Sequence, residues 1–192
     1  MKIKANHPAA VKGYTLIELL TSVSVSAVLL GIALPAFNNI LKDFRSTAIA
    51  NEMIGHVIFA RSMSVSTGKI VTVCGSSDHR NCDNAWSESV LVFSDENANI
   101  IIDGDDQLLR VIDSLKEGES LSWRSFRNKS YLQFMPTGMT YYQNGNFTYC
   151  PKDGDSHYAR HWIINVAGHI RMGRDSDEDG IVERWDRKNI EC

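Results

Sequence analysis

The sequence predicts an α+β protein: a long N-terminal membrane-spanning helix packed on an antiparallel β-sheet head. Three observations carry this. From Tyr14 to Phe37 the chain is almost uniformly apolar, and about 20 such residues are enough to cross a bilayer as a helix. Beyond that run, apolar residues recur at helical spacing as far as Gly68. From Lys69 onward the period changes to short runs rich in β-branched and aromatic residues, punctuated by Gly, Asn, Asp and Pro.

The elements follow in order. Residues 1–13 form a positive head with Lys2, Lys4 and Lys12, which places the N-terminus in the cytoplasm and the bulk of the chain outside it. Residues 14–37 are the membrane half of the helix. A secretory signal peptide would have a shorter apolar core, and Ala33-Leu34-Pro35-Ala36 is a poor match to its cleavage site. Residues 38–68 are the amphipathic half, with Phe37, Ile40, Leu41, Phe44 and Ala48, then Ile54, Val57, Ile58 and Arg61, forming the stripe that faces the head. Gly68 is the expected stop. Residues 69–192 read as eight strands, near Ile70, Val90, Leu108, Leu121, Leu132, Phe147, Trp162 and Ile170, in one antiparallel sheet or two small ones.

Composition narrows the function. Over 192 residues the formal net charge is −3, so the bulk balance gives no sign of a nucleic-acid-binding protein. The four cysteines, Cys74, Cys82, Cys150 and Cys192, all follow the apolar run. Exported to an oxidising compartment, they should pair. Of three possible connectivities the most economical joins Cys74 to Cys82 and Cys150 to Cys192. A zinc site is the weaker alternative, because the chain has no Cys-x-x-Cys pair and its histidines are scattered.

Glu18 stands inside the apolar run, where a charge is expensive. Snorkelling to the headgroups is the plain explanation. The neighbouring residues point elsewhere: Gly13, then the aromatic Tyr14, then Thr-Leu-Ile-Glu-Leu-Leu, with Pro35 as the twenty-second residue from Tyr14. This pattern resembles the type IV prepilin signal, with Tyr where Phe is usual. The resemblance implies cleavage after Gly13 by a membrane-bound prepilin peptidase and N-methylation of Tyr14. It also implies that Glu18 pairs with the free amino group of a neighbouring subunit. Such pairing neutralises two charges that are each costly in hydrocarbon, and it sets the register between helices. Pro35 removes one backbone hydrogen bond and is an expected kink.

Later residues narrow the resemblance. Ala60-Arg61-Ser62, Val71-Thr72-Val73-Cys74, Trp86, Val92-Phe93-Ser94-Asp95, Phe134, Pro136, Gly138, Phe147-Thr148-Tyr149-Cys150 and the stretch from Ile163 to Arg171 around Gly168 together resemble the GspH/FimT family of pseudopilins and minor pilins. That family implies a type IV pilin-like fold and a low-copy structural subunit of a type IV pilus or type II secretion pseudopilus, not an enzyme. Its implied partners are other pilins or pseudopilins and the prepilin peptidase. Its implied place is the inner membrane, with a periplasmic head that is later built into the filament.

Some family members that act in DNA uptake carry Gly-Arg-x-Arg. The matching residues here are Gly168, His169, Ile170 and Arg171, and the histidine carries little charge at neutral pH. Arg160, His161 and Arg174 would complete a basic patch with Arg171. The segment from Asp175 to Cys192 holds seven acids against three bases, so the expectation is that Arg171 and Arg174 pair with those acids rather than with DNA phosphates. A second cluster, Trp123, Arg124, Phe126, Arg127 and Lys129, suits single-stranded nucleic acid, but a strand with one buried face gives the same alternation.

Asp175, Asp177, Asp179 and Gly180, with Glu183 and Asp186 at the ninth and twelfth positions, resemble a calcium loop that ends in Asp instead of the usual Glu. A solvated turn is the alternative. Asp95, Asn97, Asn99 and Asp103 form a weaker version of the same pattern. His56, His79, His157, His161 and His169 have no metal-triad spacing, and there is no Gly-x-Ser-x-Gly elbow, so no catalytic site is expected.

Overall fold

The computed structural model describes residues 13–192; Lys2, Lys4 and Lys12 lie outside the described residues, as do the side chains of Pro35 and Ala36. One helix, α1 (Leu16–Thr67), is followed by eight strands: β1 (Val71–Gly75), β2 (Val90–Ser94), β3 (Gln107–Ile112), β4 (Ser120–Ser125), β5 (Tyr131–Phe134), β6 (Gly145–Cys150), β7 (Arg160–Ile164) and β8 (Ile170–Met172). The chain divides into two units between Leu41 and Lys42.

The first unit contains the N-terminal part of α1, which is long and apolar enough to cross a membrane. Its polar side chains are satisfied locally. Thr21 Oγ1 donates to the Glu18 carbonyl (3.0 Å), and the Ser22, Ser24 and Ser26 hydroxyls donate to the carbonyls of Leu19, Leu20 and Ser22 at 2.8–2.9 Å. These back-bonds let hydroxyls sit in an apolar helix without an unpaired donor. The helix is continuous through position 35.

In the second unit α1 buries Ser46, Ile49, Ala50, Met53, Val57, Ala60 and Ser64. Their spacing of three and four residues defines one face. This corrects the predicted stripe. Phe37, Ile40, Leu41 and Phe44 are exposed, and so is Ile58, whereas the small residues Ser46, Ala50, Ala60 and Ser64 lie on the packed side. Small side chains let the helix backbone approach the sheets closely, a preference that counting apolar residues does not register. Thr67 ends the helix, and Gly68 follows at φ +69° with its N–H bonded to the Ser64 carbonyl (3.1 Å), as a helix-stopping glycine should.

The strands form two four-stranded antiparallel sheets, ordered β3-β2-β1-β5 and β4-β6-β7-β8. Strands β1 and β2 are buried on both faces. One face packs on the helix core. The other carries Cys74, Leu91 and Phe93, covered by Cys82, Ile102 and Tyr131. In the second sheet Leu121, Trp123, Phe147, Tyr149, Trp162 and Ile164 point inward. The ring centroids of Trp123 and Trp162 lie 4.4 and 5.4 Å from that of Phe147, and Trp86 packs edge-on at 4.9 Å. Tilted and edge-on contacts of this kind stabilise beyond area alone.

Cys74 is bonded to Cys82 and Cys150 to Cys192, leaving no free cysteine and no thiolate for zinc. The second bridge fastens the C-terminal segment over the outer face of the second sheet. There Gly173 N–H bonds to the His161 carbonyl (2.7 Å), Glu183 N–H to the Arg174 carbonyl (3.0 Å) and Ile190 N–H to the Val182 carbonyl (3.1 Å). His161 and Ile190 are buried beneath it.

Candidate functional site

Glu18 occupies the first turn of α1 and works with Thr15. Glu18 Oε2 accepts hydrogen bonds from Thr15 N–H and Oγ1 (both 2.9 Å), while Glu18 N–H donates to Thr15 Oγ1 (3.3 Å). This reciprocal pair is a capping box, and it satisfies donors that the helix start would otherwise leave open. Thr15 is not among the sequence-predicted site residues, although Thr-x-x-Glu is a legible signature. Gly13 and Tyr14 precede the helix and are exposed, as are Leu16, Ile17 and the other large apolar side chains described up to Leu34. In the chain alone, Glu18 therefore closes its own helix, and the apolar surface around it is uncovered.

The predicted basic set does not assemble as expected. Arg160 turns to α1, bonding Asp43 and, at 3.3 Å, Thr47 Oγ1. His161 is 1% exposed, and burial pushes its pKa down, so it stays neutral. His169 lines a different cleft beside Ile58 and Arg61, and Gly168 (φ +74°) approaches the Gly138 carbonyl so closely that a Cβ there would lie at 2.6 Å.

Arg171 and Arg174 instead line a pocket with Arg184 and Arg187, against Glu183 alone as acid. The expectation that the tail acids neutralise Arg171 and Arg174 is corrected. Neither forms an ion pair among the described residues; the tail's own ion pair is Arg184–Asp186 (3.5 Å). The acids are engaged within their own turn. Both Glu183 oxygens accept from Ser176 N–H (3.0 and 2.9 Å), Asp175 Oδ2 accepts from Gly180 N–H (2.8 Å), and Asp179 accepts from Ile181 N–H (2.8 Å) and Asn189.

That turn also limits the calcium pattern. Carboxylate oxygens of Asp175, Asp177 and Glu183 converge within 4.8 Å, while Asp179 and Asp186 belong to other contacts, with Asn189 and Arg184. Three side chains remain of the five expected, against the six to eight or so oxygens that calcium takes. The second acidic pattern closes on itself. Asp95 is fully buried and accepts from Thr72 Oγ1, Gln133 Nε2 and the N–H groups of Asn99 and Ile100, and the Asn97 and Asn99 amides donate to Asp103.

In the second cluster Trp123 is buried and Arg124 exposed, so the strand alternates. Phe126, however, is 57% exposed and shares an open groove with Arg124, four asparagines and Trp185, which is 77% exposed. Trp185 lies 59 residues from Phe126 in the chain, and no local pattern announces the pairing.

Comparison with known proteins follows this geometry. The model of the type II transport protein GspH family matches residues 50–168, and that of the prokaryotic N-terminal methylation motif matches residues 9–34. Among solved structures, the type IV minor pilin FimU of Pseudomonas aeruginosa matches in two crystal forms. The TM-scores are 0.53 and 0.50 at 19% and 20% identity, covering 70% and 69% of this chain and 91% and 94% of FimU. The minor pseudopilin EpsH from the type II secretion system of Vibrio cholerae gives a TM-score of 0.48 at 13% identity, covering 66% of this chain and 94% of EpsH. No curated protein matches the sequence. FimU shares the fold, a helix on antiparallel sheets, and the family model spans more than half of these residues: the chain belongs to the GspH family of type II transport proteins.

Proposed function

We propose that the chain is a structural, non-catalytic subunit of a type IV pilus or type II secretion pseudopilus, present in few copies, that helps initiate or cap the filament. One observation carries the reading: the first unit of α1 exposes large apolar side chains from Leu16 to Leu34 around a single acid, while the head buries a complete core of its own. A surface of that kind is stable only in lipid or against similar helices. On this reading prepilin peptidase cuts after Gly13 in the inner membrane, Tyr14 is N-methylated, and the head faces the periplasm before entering the filament. Glu18 then exchanges its Thr15 contacts for the amino group of a neighbouring pilin or pseudopilin. The test is complementation of a deletion strain with Glu18→Ala. Loss of secretion or piliation with normal protein levels is expected, and wild-type function from this variant would sink the reading.

A second reading, nucleic-acid binding in DNA uptake, has one observation in its favour. Among the described residues Arg171 and Arg174 form no ion pair, and Arg184 and Arg187 join them in one pocket. Labelled duplex DNA should then shift with the full chain at low salt, and Arg171→Ala with Arg174→Ala should weaken the shift and reduce its salt dependence. Absence of a shift at low salt removes this reading.

A further inference from the structure

The groove between Phe126 and Trp185 has a different chemistry from the arginine pocket. Its volume is about 840 Å³, within the size range of small-ligand sites. Ile163, Ile164 and Gly145 contribute to its lining, and a Cβ at Gly145 would lie 2.2 Å from the Arg124 carbonyl, so the floor is close-packed backbone. Two exposed aromatic rings, Phe126 and Trp185, line it, with the Arg127 guanidinium 5.8 Å from the Phe126 ring centroid.

Both rings are held by defined turns. Phe126 N–H bonds to the Asn144 carbonyl (2.7 Å), and Ser125 Oγ closes the turn by accepting from Lys129 N–H (2.7 Å) and donating to the Lys129 carbonyl (3.0 Å). Arg127 and Asn128 inside that turn sit at φ +65° and +56°, a conformation unfavourable for non-glycine residues. Trp185 occupies a turn closed by Arg184 N–H to the Lys188 carbonyl (2.9 Å) and Arg187 N–H to the Arg184 carbonyl (3.1 Å). These bonds fix the backbone that carries each ring, so ligand binding has less of the chain to order.

The same groove is lined by amides. The side chains of Asn128, Asn144 and Asn146 make no hydrogen bond among the described residues, and Asn165 uses only its carbonyl oxygen, toward His169 N–H (2.9 Å). Each free amide offers an acceptor and two donors side by side. Arg124 is the one charged residue lining the groove. A nucleic-acid strand carries a charge at every nucleotide and requires cations along its path. A pyranose chain requires what is here: flat apolar faces for its C–H surfaces and planar donor–acceptor groups for its hydroxyls.

We propose that this groove binds an uncharged oligosaccharide, with Phe126 and Trp185 as stacking platforms and Asn128, Asn144 and Asn146 as hydroxyl-binding groups. The test is calorimetric titration of the full chain, kept in a detergent without a sugar headgroup. The probes are tetrasaccharides of glucose, N-acetylglucosamine, galactose and mannose, with an oligothymidylate as the competing class. At least one tetrasaccharide should bind saturably with little dependence on salt. Trp185→Ala and Asn146→Ala should each weaken it about tenfold or more, as loss of a central contact does, with unchanged near-ultraviolet circular dichroism. Trp185 is largely exposed, so its removal leaves the core intact. The proposal is overturned if none of the four sugars binds, if the variants bind as well as wild type, or if oligothymidylate binds in preference and is released by salt.

Discussion

The two stretches of α1 obey opposite rules. From Leu16 to Leu34 the large apolar side chains are exposed, and Glu18 is the one charge among them. From Lys42 to Thr67 one face is buried, with Ser46, Ala50, Ala60 and Ser64 among its fully buried residues, and the other is exposed, Phe44 and Ile58 included. The second stretch is stabilised by contacts inside the chain. In the first, the side-chain hydrogen bonds of the described residues run to Thr15 and to the helix's own carbonyls. A helix can thus be one element of secondary structure while its halves draw stability from different surroundings.

The sharpest way to break this comparison is a crossed pair of variants. Glu18→Ala should abolish assembly in complementation while leaving thermal unfolding of the head unchanged. Met53→Ala should do the reverse at first order, destabilising the head by about 2–5 kcal/mol through lost burial and a cavity. A drop in head stability from Glu18→Ala would show that the first stretch is not independent of the core. Next in size is the bridge that pins the tail. Cys150 and Cys192 are 42 residues apart, and closing a loop of that length is worth about 4 kcal/mol in the chain-entropy model. Cys150→Ser with Cys192→Ser should lower the melting temperature and speed hydrogen exchange at Gly173 and Ile190. Unchanged exchange would mean that the tail holds without its bridge.

A smaller effect belongs to the helix–head clamp. Arg45 Nε and Nη2 donate to the Glu119 carboxylate at 3.1 and 3.0 Å. Burial alone would push the Glu119 pKa up, but the Arg45 hydrogen bonds and the Lys116 N–H hold it below its ordinary value of 4.5. Burial beside Glu119 pushes Tyr149 up to about 12. A carboxyl held below its unfolded pKa stabilises fully above that value and loses its contribution as pH falls through the lower, folded one. Arg45→Ala should therefore lower stability by about 1 kcal/mol at neutral pH and flatten the acid limb of the stability curve. An acid limb as steep as wild type would remove Glu119 as its source. The smallest expected change is with chelator. Asp175 Oδ2 and both Glu183 oxygens already accept from N–H groups, and of these carboxylates Asp175 Oδ1 alone is buried without a partner, so EDTA should leave the melting temperature unchanged; a rise with added calcium would restore the five-ligand loop as a cation site.

Much of this was legible residue by residue. The N-terminal methylation motif announces itself by spacing, as do Gly68 as a stop and the positions of all eight strands, because turns and β-branched runs are local signals. The buried face of the helix was misread. Phe44 and Ile58 look like core on a helical projection, but the sheets require close approach, and Ala50, Ala60 and Ser64 allow it. The arginines were misread for a related reason. Charge counting along Asp175–Cys192 predicts neutralisation, whereas folding spends those carboxylates on backbone N–H groups of their own turn.

By itself, the sequence determined what depends on neighbours in the chain: the membrane-length run, its acid, the helix stop, the strands and an even set of cysteines. Tertiary structure alone decided which residues from distant segments share a surface. Arg171 joins Arg187, and Phe126 shares a groove with Trp185, because the tail that Cys192 fastens returns to the sheet of which β8 is the last strand. Local propensity acts over a few residues, whereas the meeting of two loops depends on the path of everything between them.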